Sequence, residues 1–275
     1  MFKNSVVFLS PHMDDVVLSC GGTIHCLNRL KVPVEIITAF AGSPTGELSP
    51  LAKWMHTAWE LPYNAPVYRR EEDRKATVSL GARATYLPFR GSIYRRHPQS
   101  QQLLYTSKAH IFSGDWGQES CLLSALAKAL QCQLMERSWK LLFAPLGVGR
   151  HIDHMLIRAA VESAFTESER IVFYEDFPYV QKPGALDVAL ARFKLPCVHQ
   201  SVVMLTEEDV QAKERAVRFY VSQSKEVARE IGISIDEIRE YAALVGETEA
   251  APFGERYWSP RKAALDRFRR MLETL

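Results

Sequence analysis

The stretch Val6-Val7-Phe8-Leu9-Ser10-Pro11-His12-Met13-Asp14-Asp15 decides how the rest of the chain reads. Its first four residues are apolar and rich in β-formers, and Ser10-Pro11 ends the run, so it reads as a buried strand. From Asp15 to Leu30 the apolar spacing changes: Val17, Cys20, Ile24 and Leu27 share one face of a helix. Val34 to Ala39 is a second strand. Strand, helix and strand within so short a stretch make a βαβ unit, which demands parallel strands and a right-handed crossover.

Outward from this unit the alternation continues. Residues 42–68 lose periodicity, broken by Pro44, Pro50, Pro62 and Pro66, with Trp54 and Trp59 in a short helical piece. A loop this long is usually functional or disordered, and two tryptophans argue against disorder. A helix is predicted over Arg69–Gly81, a strand near Thr85–Leu87, and a polar irregular stretch over 90–116. Then come a helix to about Met135, a strand at Leu141–Ala144, a helix at Asp153–Phe165 and a strand at Ile171–Tyr174. The last hundred residues read as more helical. Thr206-x-x-Asp209 and Ser234-x-x-Glu237 resemble capping boxes, and Gly246 is the expected stop of the second of these helices. The prediction is a single α/β domain over residues 1–275, a Rossmann-like, mostly parallel sheet with helices on both faces. Long loop insertions and C-terminal additions from about residue 197 complete it.

Composition narrows the function. The 275 residues suit one large domain or two small ones. Thirty-four Lys+Arg against 32 Asp+Glu leave a net charge of +2, which excludes nucleic-acid binding driven by bulk charge. The apolar runs are too short to span a bilayer, and no secretory leader follows Met1-Phe2-Lys3-Asn4, so no membrane anchor is expected. Cys20, Cys26, Cys121, Cys132 and Cys197 form no CxxC pair, so neither a disulfide framework nor a thiolate zinc site is expected, and a reducing cytoplasm is the simplest location.

Two constellations carry chemistry. His12, Asp14 and Asp15 lie just after the first strand and open the first helix, at the sheet edge where α/β proteins bind ligands. Histidine and carboxylate are the usual ligands of a catalytic zinc, which keeps one position open for water. The plain structural alternative is a helix cap by Asp14 or Asp15 with His12 as a turn residue. His151-Ile152-Asp153-His154 follows the Leu141–Ala144 strand and opens another helix. His151 and His154 fall on one face of a turn, and here the alternative is capping by Asp153. Jointly the two groups favour three ligands from two loops plus a water, the architecture of a hydrolytic zinc site. His25, His56, His97, His110 and His199 lack such neighbours and are assigned to surface or packing.

Pro11-His12-x-Asp14-Asp15 and Pro145-Leu146-Gly147-x-Gly149-x-His151-x-Asp153-His154 resemble the two signature motifs of the PIG-L/LmbE-like zinc-dependent N-acetylglucosaminyl deacetylases. Three further stretches agree in order: Arg69-Arg70-Glu71-Glu72-Asp73, Tyr174-Glu175-Asp176-Phe177-Pro178-Tyr179, and Lys213-x-x-Ala216-x-x-x-Tyr220-x-Ser222-Gln223. Met13 and Ile152 stand where the commonest members carry proline; neither supplies a ligand. The resemblance implies that His12, Asp15 and His154 bind Zn2+, that Asp14 is the general base on the activated water, and that His151 stabilises the oxyanion or protonates the leaving amine. Asp153 would orient His151. Arg69 or Arg70 would meet sugar hydroxyls, the alternative being a solvated charge run, and Glu175 and Asp176 would line the cleft, the alternative there being a cap. Trp54, Trp59 and Tyr63 either stack on a sugar or form the loop's own core.

The implied activity is removal of an N-acetyl group from an amino-sugar-containing small molecule, with no nucleic-acid partner and with homo-oligomerisation left open. The loop Ala41-Gly42-Ser43-Pro44 looks closest to bacterial members in antibiotic or thiol-cofactor pathways. The alternatives are an amidase acting on another amide, such as a thiol-cofactor conjugate, and a non-enzymatic nucleotide-binding module. The second is disfavoured because no GxGxxG follows the first strand and two carboxylates stand where a phosphate would sit.

Overall fold

The computed structural model describes residues 5–135, 138–165, 168–193, 197–226 and 235–273. In chain order the strands and α-helices are β1 (Ser5–Ser10), α1 (Asp15–Arg29), β2 (Val34–Thr38), α2 (Pro50–Ala58), α3 (Ala65–Ser79) and β3 (Arg83–Tyr86). Next come α4 (Lys108–Ile111), α5 (Ser120–Met135), β4 (Trp139–Pro145), α6 (Ile152–Ala164), β5 (Ile171–Tyr174) and α7 (Ala185–Leu190). The chain closes with β6 (His199–Leu205), α8 (Glu207–Val217), α9 (Val221–Glu226), α10 (Ile235–Glu247), β7 (Phe253–Ser259) and α11 (Lys262–Glu273).

One seven-stranded sheet runs in the order β3-β2-β1-β4-β5-β7-β6. The first five strands are parallel, and β7 is antiparallel to both β5 and β6. All six residues of β1 are buried, as a central parallel strand covered on both faces requires. Its side chains divide by the period of two: Val7 and Leu9 enter the core shared with α5 and α6, while Val6 and Phe8 enter the core shared with α1, α8 and α11. Phe8 stacks on Phe143 of β4 with ring centroids 4.4 Å apart, tying the two central strands.

This order positions the site. From β1 the chain builds outward through β2 to β3, then crosses back to place β4 on the other side of β1. The connections leaving β1 and β4 therefore diverge and open a crevice at the carboxyl ends of the two strands. The segments holding His12–Asp15 and His151–His154 are those two connections.

Several boundaries differ from the sequence reading. α3 begins at Ala65, four residues before Arg69, because Pro66 sits in its first turn, where a proline starts a helix and does not break one. The C-terminal part contributes two strands as well as helices. His199–Leu205 alternates buried and exposed positions along β6, a period-two signal overshadowed by the helical stretches around it. The Thr206–Asp209 capping box is formed, with Thr206 accepting from the Asp209 amide and Asp209 from the Thr206 amide. Ser234, the first residue of the second box, lies outside the described residues, and Gly246 falls inside the last turn of α10, not after it.

The loop between β4 and α6 is held from beneath. Arg158, 2% exposed, donates to the Leu146 carbonyl at 2.7 Å and the Ala189 carbonyl at 2.9 Å. It also pairs with Glu162 at 2.9 Å and covers the Phe193 ring at 4.2 Å. Replacing it strands two buried carbonyls, so Arg158→Ala is expected to lower the unfolding free energy by about 3 kcal/mol in urea titrations. A cost below about 1 kcal/mol would show that the loop is held by other contacts.

Candidate active site

The connection after β1 is shaped by its own polar groups. The Ser10 hydroxyl accepts from the Val16 amide at 3.2 Å, and the Asp15 carboxylate accepts from the His12 amide at 2.7 Å. Asp14 makes no side-chain cap to α1 and sits at φ 146°, a backbone conformation that costs a non-glycine residue about 1–3 kcal/mol. Its side chain is turned toward the crevice, where Arg69 Nη2 lies 3.4 Å from Oδ2. The helix-cap reading of Asp14 is thereby removed.

The connection after β4 needs two glycines with left-handed φ, Gly147 at 78° and Gly149 at 80°. A Cβ on Gly149 would lie 2.5 Å from the Tyr179 side chain, so only glycine admits the close approach. The turn delivers His151 to the N-cap of α6, where its Nδ1 accepts from the Asp153 amide at 3.1 Å.

The two connections meet. Asp15 Oδ2 lies 3.1 Å from His12 Nδ1 and 3.3 Å from His154 Nε2. Ligand atoms on a tetrahedral ion with bonds of about 2.0–2.1 Å stand about 3.3 Å apart, so these separations fit one bound cation. His12, His151 and His154 each offer a ring nitrogen, all within 4.8 Å of one another. The far nitrogens of two of these rings are committed: His12 Nε2 meets Asp153 Oδ2 at 2.8 Å, and His154 Nδ1 meets Asp176 Oδ1 at 2.7 Å. Each bond fixes a tautomer that turns the other nitrogen's lone pair inward. His154 Nε2 is buried with no hydrogen-bond partner, which fits a position reserved for a metal.

Burial and charge set the protonation of the group. Burial pushes the Asp14 carboxyl up to about 7, against the pull of Arg69 and with the help of Asp15. Burial alone would depress His154, but Asp15 and Asp176 outweigh it and raise it to about 10. His151 is held well below the ordinary histidine range by burial and by the neighbouring His12, so it is neutral. With Nδ1 accepting, its proton resides on Nε2. Asp153 stays well below the carboxylate range despite burial, chiefly because Arg95 lies against it.

The remaining site expectations divide. The Asp153 carboxylate holds His12, the Ser92 amide at 3.0 Å and Arg95; it does not hold His151, which meets only its backbone. As N-cap, the His151 ring folds back on the helix end, while the Asp153 carboxylate reaches across to the β1 connection. Asp176 stands behind His154 and the Val148 amide, and Glu175 is bound by Tyr241, Arg256 and Trp258, so neither lines the crevice. Successive residues at a strand end point to opposite sides, which separates the two. Arg69 lines the crevice, whereas Arg70 donates to the Ala41 carbonyl and does not. Trp59 forms part of the wall beneath Arg69, 4.8 Å from the ring centroid, while Trp54 and Tyr63 are exposed.

Sequence reading missed the support on the far side. Arg95 is buried between Asp153 and Glu119, and Tyr105 donates to Glu119. Above the floor lies a cleft of about 330 Å³ whose walls include Trp59, Ile93, Tyr94, Phe112 and Tyr179.

Comparison with known proteins agrees with this geometry. Residues 7–165 match the family described as PIG-L, GlcNAc-PI de-N-acetylase. A 2'-N-acetylparomamine deacetylase of Niallia circulans is 29% identical over 195 residues, covering 66% of this chain and 69% of that protein. A protein of the same name from Streptomyces fradiae is 28% identical, covering 68% of this chain and 61% of its own length. Among solved structures, the zinc-inhibited form of a teicoplanin deacetylase superposes with a TM-score of 0.79 at 26% identity, over 93% of this chain and 97% of that one. From its two motifs, its sheet and these likenesses, the chain belongs to the PIG-L de-N-acetylase family.

Proposed function

We propose that the protein is a metal-dependent hydrolase that removes an N-acetyl group from an amino-sugar-containing small molecule, with His12, Asp15 and His154 holding a zinc ion. The observation that carries this reading is the convergence of His12 Nδ1 and His154 Nε2 on Asp15 Oδ2, each histidine backed by a buried carboxylate. The relatives named as acetylparomamine and teicoplanin deacetylases support the reaction class and an amino-sugar substrate. A zinc ion in such a site lowers the pKa of a water and polarises an amide carbonyl.

The residues supply the rest. Asp14 faces the crevice with its pKa at about 7, poised to take a proton from the attacking water at neutral pH. The same carboxyl then returns that proton to the amide nitrogen, which must leave as an amine. Neutral His151 presents Nε2–H to the oxygen on which negative charge develops. Arg69 steadies the Asp14 carboxylate and donates to the Met13 carbonyl at 3.2 Å, so the strained turn and the base share one clamp. No helix among the described residues is long and apolar enough to cross a membrane.

The test is release of free amine from a panel of N-acetylated amino sugars and aminoglycosides, with and without chelator. Asp14→Asn is expected to retain the metal and lose about 10²–10⁴-fold in turnover, whereas His154→Ala should lose bound zinc by metal analysis. Full zinc occupancy in His154→Ala contradicts the ligand set.

Proton release checks the same assignment. In metal-stripped protein at pH 7, His154 carries a proton because its pKa lies near 10, and zinc must displace it. Affinity is therefore expected to rise with pH, about tenfold per unit for each displaced proton. Calorimetry in two buffers of different ionisation enthalpy counts the protons, and a count of zero is incompatible with His154 as a ligand.

Arg95 is expected to tune the metal through Asp153. Arg95→Met should weaken zinc binding by about 10–100-fold in competition with a chromogenic chelator, with a smaller effect from Glu119→Gln. Unchanged affinity in both variants would confine this network to folding.

A further inference from the structure

Lys213, Tyr220 and Ser222 belong to one sequence motif, are buried, and do not line the cleft. Each is spent on another element. Lys213, on α8, pairs with Glu255 of β7 at 2.8 Å and donates to the Ser19 carbonyl of α1 at 3.4 Å. The same Glu255 carboxylate accepts from the Gly22 and Thr23 amides of α1 at 3.1 and 2.8 Å. Here α8 runs so close to α1 that a Cβ on Gly21 would stand 2.8 Å from Lys213 Cγ. Just after α8, the Tyr220 hydroxyl donates to Asp73 Oδ1 at 2.7 Å. Ser222 donates its amide and its hydroxyl to Glu72 at 2.9 and 2.5 Å. Glu72 and Asp73 belong to α3.

The two helices held in this way carry the two halves of one contact. Asp14 stands at the start of α1, about one turn before Ser19, and Arg69 stands on α3, one turn before Asp73. Arg69 Nη2 meets the Met13 carbonyl at 3.2 Å and Asp14 Oδ2 at 3.4 Å. Both distances are at the long end of the hydrogen-bond range, so a small slide of α3 against α1 would break them. Burial pushes the Asp73 carboxyl up to about 6, against the pull of Tyr220, Tyr86 and Arg69. At neutral pH it is therefore an anion facing the Arg69 cation across one turn of α3. We propose, resting on the deacetylase reading, that Lys213, Tyr220 and Ser222 form a clamp that fixes α3 against α1. They are positioning residues for the Arg69–Asp14 contact and touch neither substrate nor metal.

The experiment compares zinc-loaded Tyr220→Phe and Ser222→Ala with the wild type on the fastest compound of the amino-sugar and aminoglycoside panel. Each variant is expected to lose about 10- to 100-fold in kcat, the size of a small misplacement of a reacting group. KM should stay within about twofold, and zinc affinity by chelator competition should not change, because the clamp acts on the base and not on the ligands. The double variant Lys213→Met/Glu255→Gln, which leaves no buried charge uncompensated, should behave alike. In an Arg69→Lys background, read in single turnovers, Tyr220→Phe should cost less than about twofold, since the contact it serves is already gone. A lowered Tm with full kcat in Tyr220→Phe and Ser222→Ala makes the clamp purely structural and overturns the proposal. So does an equal loss in both Arg69 backgrounds, or a zinc affinity that falls in step with kcat. Each of these leaves the deacetylase reading standing. A wild type that releases no amine from any compound of the panel sinks both.

Discussion

Two buried carboxylates, Asp153 behind His12 and Asp176 behind His154, are the constraint on which the rest of the site depends. An imidazole is a ligand only through a lone pair, and which nitrogen carries that pair is decided by the hydrogen bond at the other. Here both rings are fixed in the same sense, with the far nitrogen donating and the near one facing Asp15. Burying so many charges is costly unless each is matched. Arg95 matches Asp153, and the Val148 amide shares Asp176 with His154. The divalent cation proposed among His12, Asp15 and His154 would complete the balance.

The sheet makes this meeting possible. His12 and His154 are far apart in sequence, but β1 and β4 are neighbours at the point where the strand order reverses. A chain that built its strands in simple succession would place the β4 connection away from the β1 connection, and no crevice would open between them. The Phe8–Phe143 stack and the wholly buried β1 pack this seam on both faces, so side chains projecting from its ends inherit rigid positions. The strain at Asp14 is tolerated on the same account: the backbone on either side is fixed by Ser10 and by α1.

How much of this is legible in sequence follows the range of each signal. The βαβ start, the two histidine–carboxylate clusters and the parallel core are local patterns, and they appear where the periodicity places them. The partner of the Asp153 carboxylate is not local. Arg95 lies in a polar stretch without periodicity, and only the folded chain brings it against Asp153, 58 residues away. For the same reason Glu175 and Asp176, adjacent in sequence, read as a pair but serve different neighbours. The strands β6 and β7 were obscured by the helices around them, although the alternation along His199–Leu205 was present. Pro66 shows the ambiguity of a single residue: a proline ends one helix and begins another, and only the following turn decides which.

The cleft is assembled from two kinds of material. Its floor comes from strand ends and helix starts whose positions the sheet dictates, so the proposed acid–base groups and ligand set are bound to the fold. Its walls come largely from the 42–68 and 90–116 segments, which carry Trp59, Ile93, Tyr94 and Lys108, with Tyr179 added from the connection after β5. Loops accept substitution and insertion more readily than sheet edges do. Floor and walls are therefore under separate control: the floor cannot change without disturbing β1 and β4, while the walls can change with a few side chains of the insertions. Arg95 is the exception that joins the two, since it sits in the second insertion yet holds the carboxylate behind His12. Any rearrangement of that loop that moved Arg95 would be felt at Asp153 and His12, which limits how freely the walls of the cleft can be rebuilt.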